Sequence, residues 1–157
     1  VGSEMCIRDR YVKLAGKKIP YNTDQWDGYP KEREEFFEII KNSQSNLILA
    51  GDSHNSWISN LRDNNDKFVG VEIGAPSISS PNFVDTFGEM TTEIDKSFVE
   101  SNEDLVWTNG INKGYVELEV SFNFVDVHFH YVSTVKSQKY EKLQTKSFRV
   151  NHAQPLA

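Results

Sequence analysis

The 157-residue chain is 38% hydrophobic and 25% charged, the balance of a globular domain rather than a disordered one. A chain of this size buries roughly 68–70% of its unfolded surface, enough for one hydrophobic core. Its net charge of −6 argues against a nucleic-acid-binding surface, and no apolar run approaches the roughly 20 residues of a transmembrane segment.

Residues 1–10, VGSEMCIRDR, carry no apolar period and no signal-peptide h-region. They resemble translated adapter read-through and are expected to be a non-native sequencing scar, leaving 11–157 as the informative domain. The scar holds two acids (Glu4, Asp9) and two bases (Arg8, Arg10), so removing it leaves the net charge unchanged. It also holds Cys6, the one cysteine, so disulfides and cysteine-based metal sites drop out of consideration.

YVKLAGKKIPYN (11–22) is expected to supply an edge strand. WDGYPKEREEFFEIIKNSQSN then carries a helix signal. Pro30 suits the first helical position, Glu32, Glu34 and Glu35 favour the positive end of the helix dipole, and Phe36, Phe37, Ile39 and Ile40 form an apolar stripe. Strand 46–50 (NLILA) follows, all apolar after its first residue and expected to be buried on both faces. A second strand is expected at 67–74, after the turn-rich RDNNDK.

Residues 75–84, APSISSPNFV, are too polar and too rich in proline for a regular element. A helix is expected over 85–101, with Phe87, Met90, Ile94 and Phe98 near a 3.6 period. The last third is β: alternation predicts strands at 114–121, 124–135 and 147–151. The helix-then-strand order predicts an α/β fold.

Chemistry concentrates where NLILA ends in GDSHNSW. Ligand sites of open α/β sheets lie past the carboxyl ends of such strands. Gly51 permits close backbone approach. If the loop is extended, Asp52 and His54, two positions apart, project to one side, while Ser53 faces elsewhere. A carboxylate beside an imidazole suits a divalent or trivalent metal ion; a solvated turn with an ordinary histidine is the competing reading. His128 and His130 are also two apart on one strand face, but no further acid stands at ligand spacing in the sequence, so a half-exposed face is the preferred reading. His152 reads as solvated.

WDGYPKEREEFFEII, NLILAGDSHNSW, GVEIGAPSISSP and NKGYVELEVS occur here in the order found in the C-terminal half of the PhoD-like alkaline phosphatases. Over about residues 20 to 135 the chain resembles that family, a branch of the calcineurin-like metallophosphoesterases. The resemblance implies the C-terminal half of a four-layer α/β/β/α sandwich and hydrolysis of phosphomonoesters or phosphodiesters by a metal-activated water. By position it implies that Asp52 and His54 are catalytic metal ligands, in the place where relatives carry G-H-x-H. It implies iron together with calcium, other two-metal pairs being possible, and export from the cytoplasm.

The resemblance also puts Trp26, Asp27 and Tyr29 near a substrate mouth. The alternatives are that Trp26 and Tyr29 staple the helix entrance and that Asp27 caps the helix. Asn55 and Trp57 stand as neighbours that orient His54, with plain packing the stronger reading for Trp57. Ser77 and Ser79 match the family's serine-rich loop, where hydrogen bonding within the loop is the simpler role. The family's earlier ligand motifs are not found before Asp52, and Cys6 is not equated with the family's cysteine ligand. The expectation is therefore a fragment, inactive without the N-terminal half of its domain. A non-catalytic β-rich binding module is the alternative from another class.

Overall fold

The computed structural model describes the backbone of residues 2–3, 11–14, 17–20, 25–43 and 45–157, with the side chains of 25, 26, 28–43 and 45–157. The expectation of a scar at 1–10, Cys6 included, thus lies outside the described residues apart from Gly2–Ser3. The side chain of Asp27 lies outside them too.

The strands are β1 (Gly2–Ser3), β2 (Tyr11–Leu14), β3 (Lys17–Pro20), β4 (Leu47–Ala50), β5 (Ser56–Arg62), β6 (Phe68–Gly74), β7 (Leu105–Asn109), β8 (Lys113–Val120), β9 (Phe124–Val132) and β10 (Lys146–Asn151). The helices are α1 (Pro30–Ile40), α2 (Phe83–Phe87) and α3 (Thr91–Ser101). A five-stranded sheet has the order β1-β4-β6-β5-β7, and a three-stranded antiparallel sheet the order β10-β9-β8. Within the 11–22 segment, Tyr11–Leu14 and Lys17–Pro20 pair antiparallel as a separate two-stranded sheet rather than as an edge of either larger one.

Side chains of the large sheet pack on both of its faces. Ile58, Val71 and Ile73 of the large sheet meet Val127, Phe129, Tyr131 and Val150 of the small one. On the opposite face, Ile48, Leu61 and Val69 pack under Phe37 and Ile40 of α1, while Ala50, Trp57 and Leu105 pack with Phe83 and Phe98 of the other two helices. Among the described residues the result is three layers: helices, large sheet, small sheet. Some polar groups caught between the layers are tied to distant backbone. Asn60 of β5, for example, exchanges two hydrogen bonds with the backbone of Leu156 at 2.8 and 3.0 Å.

Several expectations are corrected. Helix α1 starts at Pro30 as read, but Tyr29 holds the N-cap position, so Asp27 is not the cap. Arg33, Phe37 and Ile40 face inward at helical spacing, whereas Ile39 is 77% exposed. The 85–101 helix is broken: α2 ends at Phe87, a 3-10 turn covers Gly88–Met90, and α3 begins at Thr91. Gly88 takes φ +58, which terminates α2 and leaves Met90 exposed.

β4 is not dry on both faces. Leu49 is 40% exposed and looks into an open groove of about 310 Å³ lined with Ile73, Pro76, Ile78, Tyr115 and Leu118. Strands β5 and β7 were not anticipated.

Candidate metal centre

β4 and β6 run parallel side by side, and the chain leaves β4 to re-enter the same sheet as β5 on the other side of β6. The connection 51–55 therefore passes over the carboxyl end of β6. Both of its ends are pinned to one residue: Ala50 and Trp57 are each register partners of Gly74. A Cβ on Gly74 would lie 2.7 Å from Cδ1 of the Trp57 indole, so only glycine admits the crossing.

The connection is not extended. Asp52 and His54 have φ of +63° and +61°, the left-handed region in which non-glycine residues are uncommon. Around Asp52 the chain makes a tight turn, with Ser53 N–H donating to Gly51 C=O at 2.7 Å. An added Cβ on Gly51 would meet nothing within 4 Å, so close approach of other described residues is not what this glycine serves.

The side chains between the two candidate ligands build the loop's frame. Ser53 does not face away: its Oγ accepts from Trp57 Nε1–H at 2.8 Å. Trp57 is 1% exposed, with its ring edge-on to Phe83 and Phe98 at centroid distances of 6.0 and 5.4 Å. Asn55, also buried, donates to Ser53 C=O at 2.7 Å and accepts from Phe83 N–H at 3.1 Å. It fastens the loop to the start of α2 rather than touching the His54 ring. Packing is thus the role of Trp57 and loop fastening that of Asn55.

The His54 ring is oriented by a group that the sequence did not point to. Nδ1 lies 2.7 Å from the carbonyl oxygen of Pro81. A carbonyl only accepts, so Nδ1 carries the proton, and in the neutral imidazole Nε2 keeps a free lone pair. Fixing one ring nitrogen on a backbone carbonyl is how metal-ligating histidines are held. The His54 carbonyl in turn accepts from Ser77 N–H at 3.1 Å.

Ser77 is buried and bonds within its loop, Oγ to Ser80 C=O at 2.7 Å, as the simpler reading had it. Asp52 is exposed, and its carboxylate has no hydrogen-bond partner among the described residues. A one-sided carboxylate and an imidazole with its second nitrogen available fit two positions of a metal's ligand set. Among the described residues, no group of three or more His, Cys, Asp or Glu is placed to hold an ion.

Four of the singled-out residues, Asp52, His54, Asn55 and Trp57, thus lie on or beside one short connection. Trp26 belongs to the entrance of α1, where its ring sits 5.8 Å from Phe36 and packs on the Phe37 cluster. That is the staple reading. Tyr29, 48% exposed, is at the same entrance.

His128 and His130 lie on the outer face of the small sheet. The absence of a nearby acid is corrected here: His130 Nε2 meets Glu117 at 2.8 Å, and Glu119 stands 3.8 Å from His128. Their other nitrogens meet Ser147 of β10 and Thr145 just before it, so the pair is accounted for by side-chain hydrogen bonds. His152 is exposed.

Residues 1–129 match the family model for PhoD-like phosphatase. The chain belongs to the PhoD-like phosphatase family. It is similar to alkaline phosphatase D of Bacillus subtilis (strain 168), at 41% identity over 66 residues, covering 38% of this chain and 11% of that protein. The fold matches a solved structure titled "Structure of PhoD" with a TM-score of 0.76 at 23% identity, covering 96% of this chain and 29% of that one. The α/β fold of a partial PhoD-like domain is therefore established, and the chain spans well under two thirds of either relative. Among the described residues of this family member, no helix is long and apolar enough to cross a membrane.

Proposed function

We propose that this chain is the C-terminal portion of a metal-dependent phosphate-ester hydrolase in which Asp52 and His54 bind the catalytic ions. One observation carries the reading. In a member of the PhoD-like phosphatase family, the Pro81 carbonyl fixes the His54 proton on Nδ1, which leaves Nε2 on the same short loop as the Asp52 carboxylate, exposed and without a hydrogen-bond partner among the described residues.

The roles follow from the geometry. His54 offers a neutral nitrogen of fixed orientation, and Asp52 brings the negative charge that makes a cation welcome. The turn around Asp52 and the Trp57–Ser53 bond fix the backbone that carries both donors before any ion arrives. A bound ion lowers the pKa of coordinated water and neutralises charge on phosphoryl oxygens. Iron with calcium is the pair that the family resemblance suggests, and an exported location is part of the same proposal.

Two donors do not complete such a centre. The remaining ligands are assigned to residues outside this chain, in the preceding half of the domain, and the chain alone is expected to be inactive. The open groove between β4 and β8 supports this, since its apolar lining suits coverage by further strands of that half.

The test uses a protein spanning the whole domain. His54→Ala should cut hydrolysis of an aryl phosphate by orders of magnitude and lower the bound metal, whereas undiminished activity ends the ligand assignment. Rates on mono- and bis-aryl phosphates decide between monoester and diester substrates.

A further inference from the structure

The Pro81 carbonyl that orients His54 sits on a loop with no regular secondary structure from Ala75 to Asn82, so something must hold that loop in place. Besides the bonds from Ala75 and Ser77 to Ala50 and His54, two holding groups come from the other sheet. Gly114 N–H, at the start of β8, donates to Ser77 C=O at 3.1 Å. The neighbouring Lys113 extends its ammonium into the loop, where Nζ donates to Ser80 C=O at 2.7 Å, to Asn82 Oδ1 at 3.4 Å and to the Asp85 carboxylate. The Lys113 side chain is only 12% exposed, and its three donors are matched by three acceptors. The acceptors bracket Pro81 from both sides, on residues 80, 82 and 85.

Placement of the strand that carries Lys113 is equally constrained. A Cβ on Gly114 would fall 1.8 Å from the carbonyl oxygen of His130, so β8 can approach β9 this closely only with glycine there. Lys113 therefore starts from a fixed backbone position, and its charge spans the gap between the small sheet and the loop.

We propose that Lys113 is a positioning residue for His54: by clamping residues 80–85 it sets the place of the Pro81 carbonyl, and with it the proton position and direction of the imidazole. The inference rests on the reading of His54 as a ligand for its functional value, though not for its geometry. Lys113 itself makes no contact with substrate or ion in this role. A lysine at the head of a strand would ordinarily be a solvated end; here three acceptors converge on it, and the middle residue of the clamped turn is the one that touches His54.

The experiment is long-range 1H–15N correlation of the histidine rings in the ¹⁵N-labelled chain, at a pH where imidazole is neutral, followed by titration with Zn²⁺ alone. In the unaltered chain His54 should be protonated on Nδ1. Lys113→Met should shift His54 towards the Nε2–H form and weaken Zn²⁺ binding by about tenfold, the lower end of what loss of an orienting partner costs. Lys113→Arg, which keeps a charged donor, should retain the Nδ1–H form. His128, His130 and His152 serve as internal reporters of an intact fold. If Lys113→Met unfolds, Lys113→Gln takes its place, keeping one donor for the Ser80 carbonyl, and should give a mixture of the two forms.

An unchanged His54 tautomer in the folded Met or Gln variant overturns the proposal. A tautomer that shifts upholds the positioning role whether or not two donors alone retain Zn²⁺; the ligand reading is decided separately, by metal content and hydrolysis in the His54→Ala variant of a protein spanning the whole domain.

Discussion

His54 and Pro81 are 27 positions apart in the chain, yet the imidazole Nδ1 reaches the proline carbonyl at 2.7 Å. The contact joins the two connections that lie over the carboxyl ends of β4 and β6. It also converts a flexible side chain into one whose remaining nitrogen points in a defined direction. A backbone acceptor is well suited to this, since it cannot titrate and has no rotamer of its own.

The loop conformation itself predicts how Asp52 responds to substitution. At φ +63° an asparagine is nearly as comfortable as an aspartate, whereas a β-branched residue is not. Asp52→Asn should leave stability within about 0.5 kcal/mol, and Asp52→Val should cost about 1–2 kcal/mol. Urea unfolding of both variants checks this. Equal stabilities would mean that the turn relaxes out of the left-handed region.

Two glycines should differ sharply. Gly114→Ala places a methyl 1.8 Å from the His130 carbonyl oxygen and should destabilise the chain by about 1–3 kcal/mol or more, whereas Gly51→Ala meets nothing within 4 Å and should stay within about 0.5 kcal/mol. Paired thermal melts decide it. A large loss at Gly51 would reveal a constraint absent from the described residues.

Trp57 links packing to the site. Buried against Phe83 and Phe98 and bonded to Ser53, it should cost about 3–5 kcal/mol when replaced by Ala. Trp57→Phe keeps most of the ring but abandons the Ser53 bond, a loss of about 1 kcal/mol. Hydrogen exchange should then be faster at Ser53 and Asn55. Unaltered exchange would show that the indole N–H does not hold the loop.

Asp95 gives a pH signature. Burial raises its pKa above the ordinary 3.8, only partly countered by Gly110 N–H. For a carboxylate shifted upward, the folded state holds the proton longer than the unfolded one, so stability declines as pH rises through the folded pKa. Asp95→Asn should therefore stabilise the chain at neutral pH, with the gain shrinking as pH falls towards the ordinary carboxylate value. Denaturant midpoints at several pH values read this directly, and a pH-independent difference would contradict it. Asp126, held down by its bidentate bond to Arg149, works in the opposite sense: its contribution is present at neutral pH and fades in acid.

Much of this architecture is legible in the residues. Pro30 and the spacing of Phe37 and Ile40 mark α1, and strict alternation marks β8 and β9. β5 escaped because Ser56, Ser59 and Asn60 interrupt any apolar strand pattern, while the fold buries all three. Burial of polar residues depends on distant partners such as Tyr131, whose hydroxyl meets Ser56 Oγ at 2.7 Å, and no local pattern announces that.

At the site, residue types and spacing pointed to Asp52 and His54. They did not disclose the left-handed backbone at Asp52 and His54, on either side of Ser53, because periodicity assumes an extended chain. Nor did they point to Pro81 or Lys113, whose roles come from a carbonyl and from the meeting of two sheets.

The most direct test of the metal-ligand reading is anomalous diffraction from crystals of a protein spanning the whole domain with its native metals. An ion about 2.0–2.4 Å from both His54 Nε2 and an Asp52 carboxylate oxygen is the predicted result. Fully occupied metal positions with Nε2 of His54 directed away from all of them would contradict it.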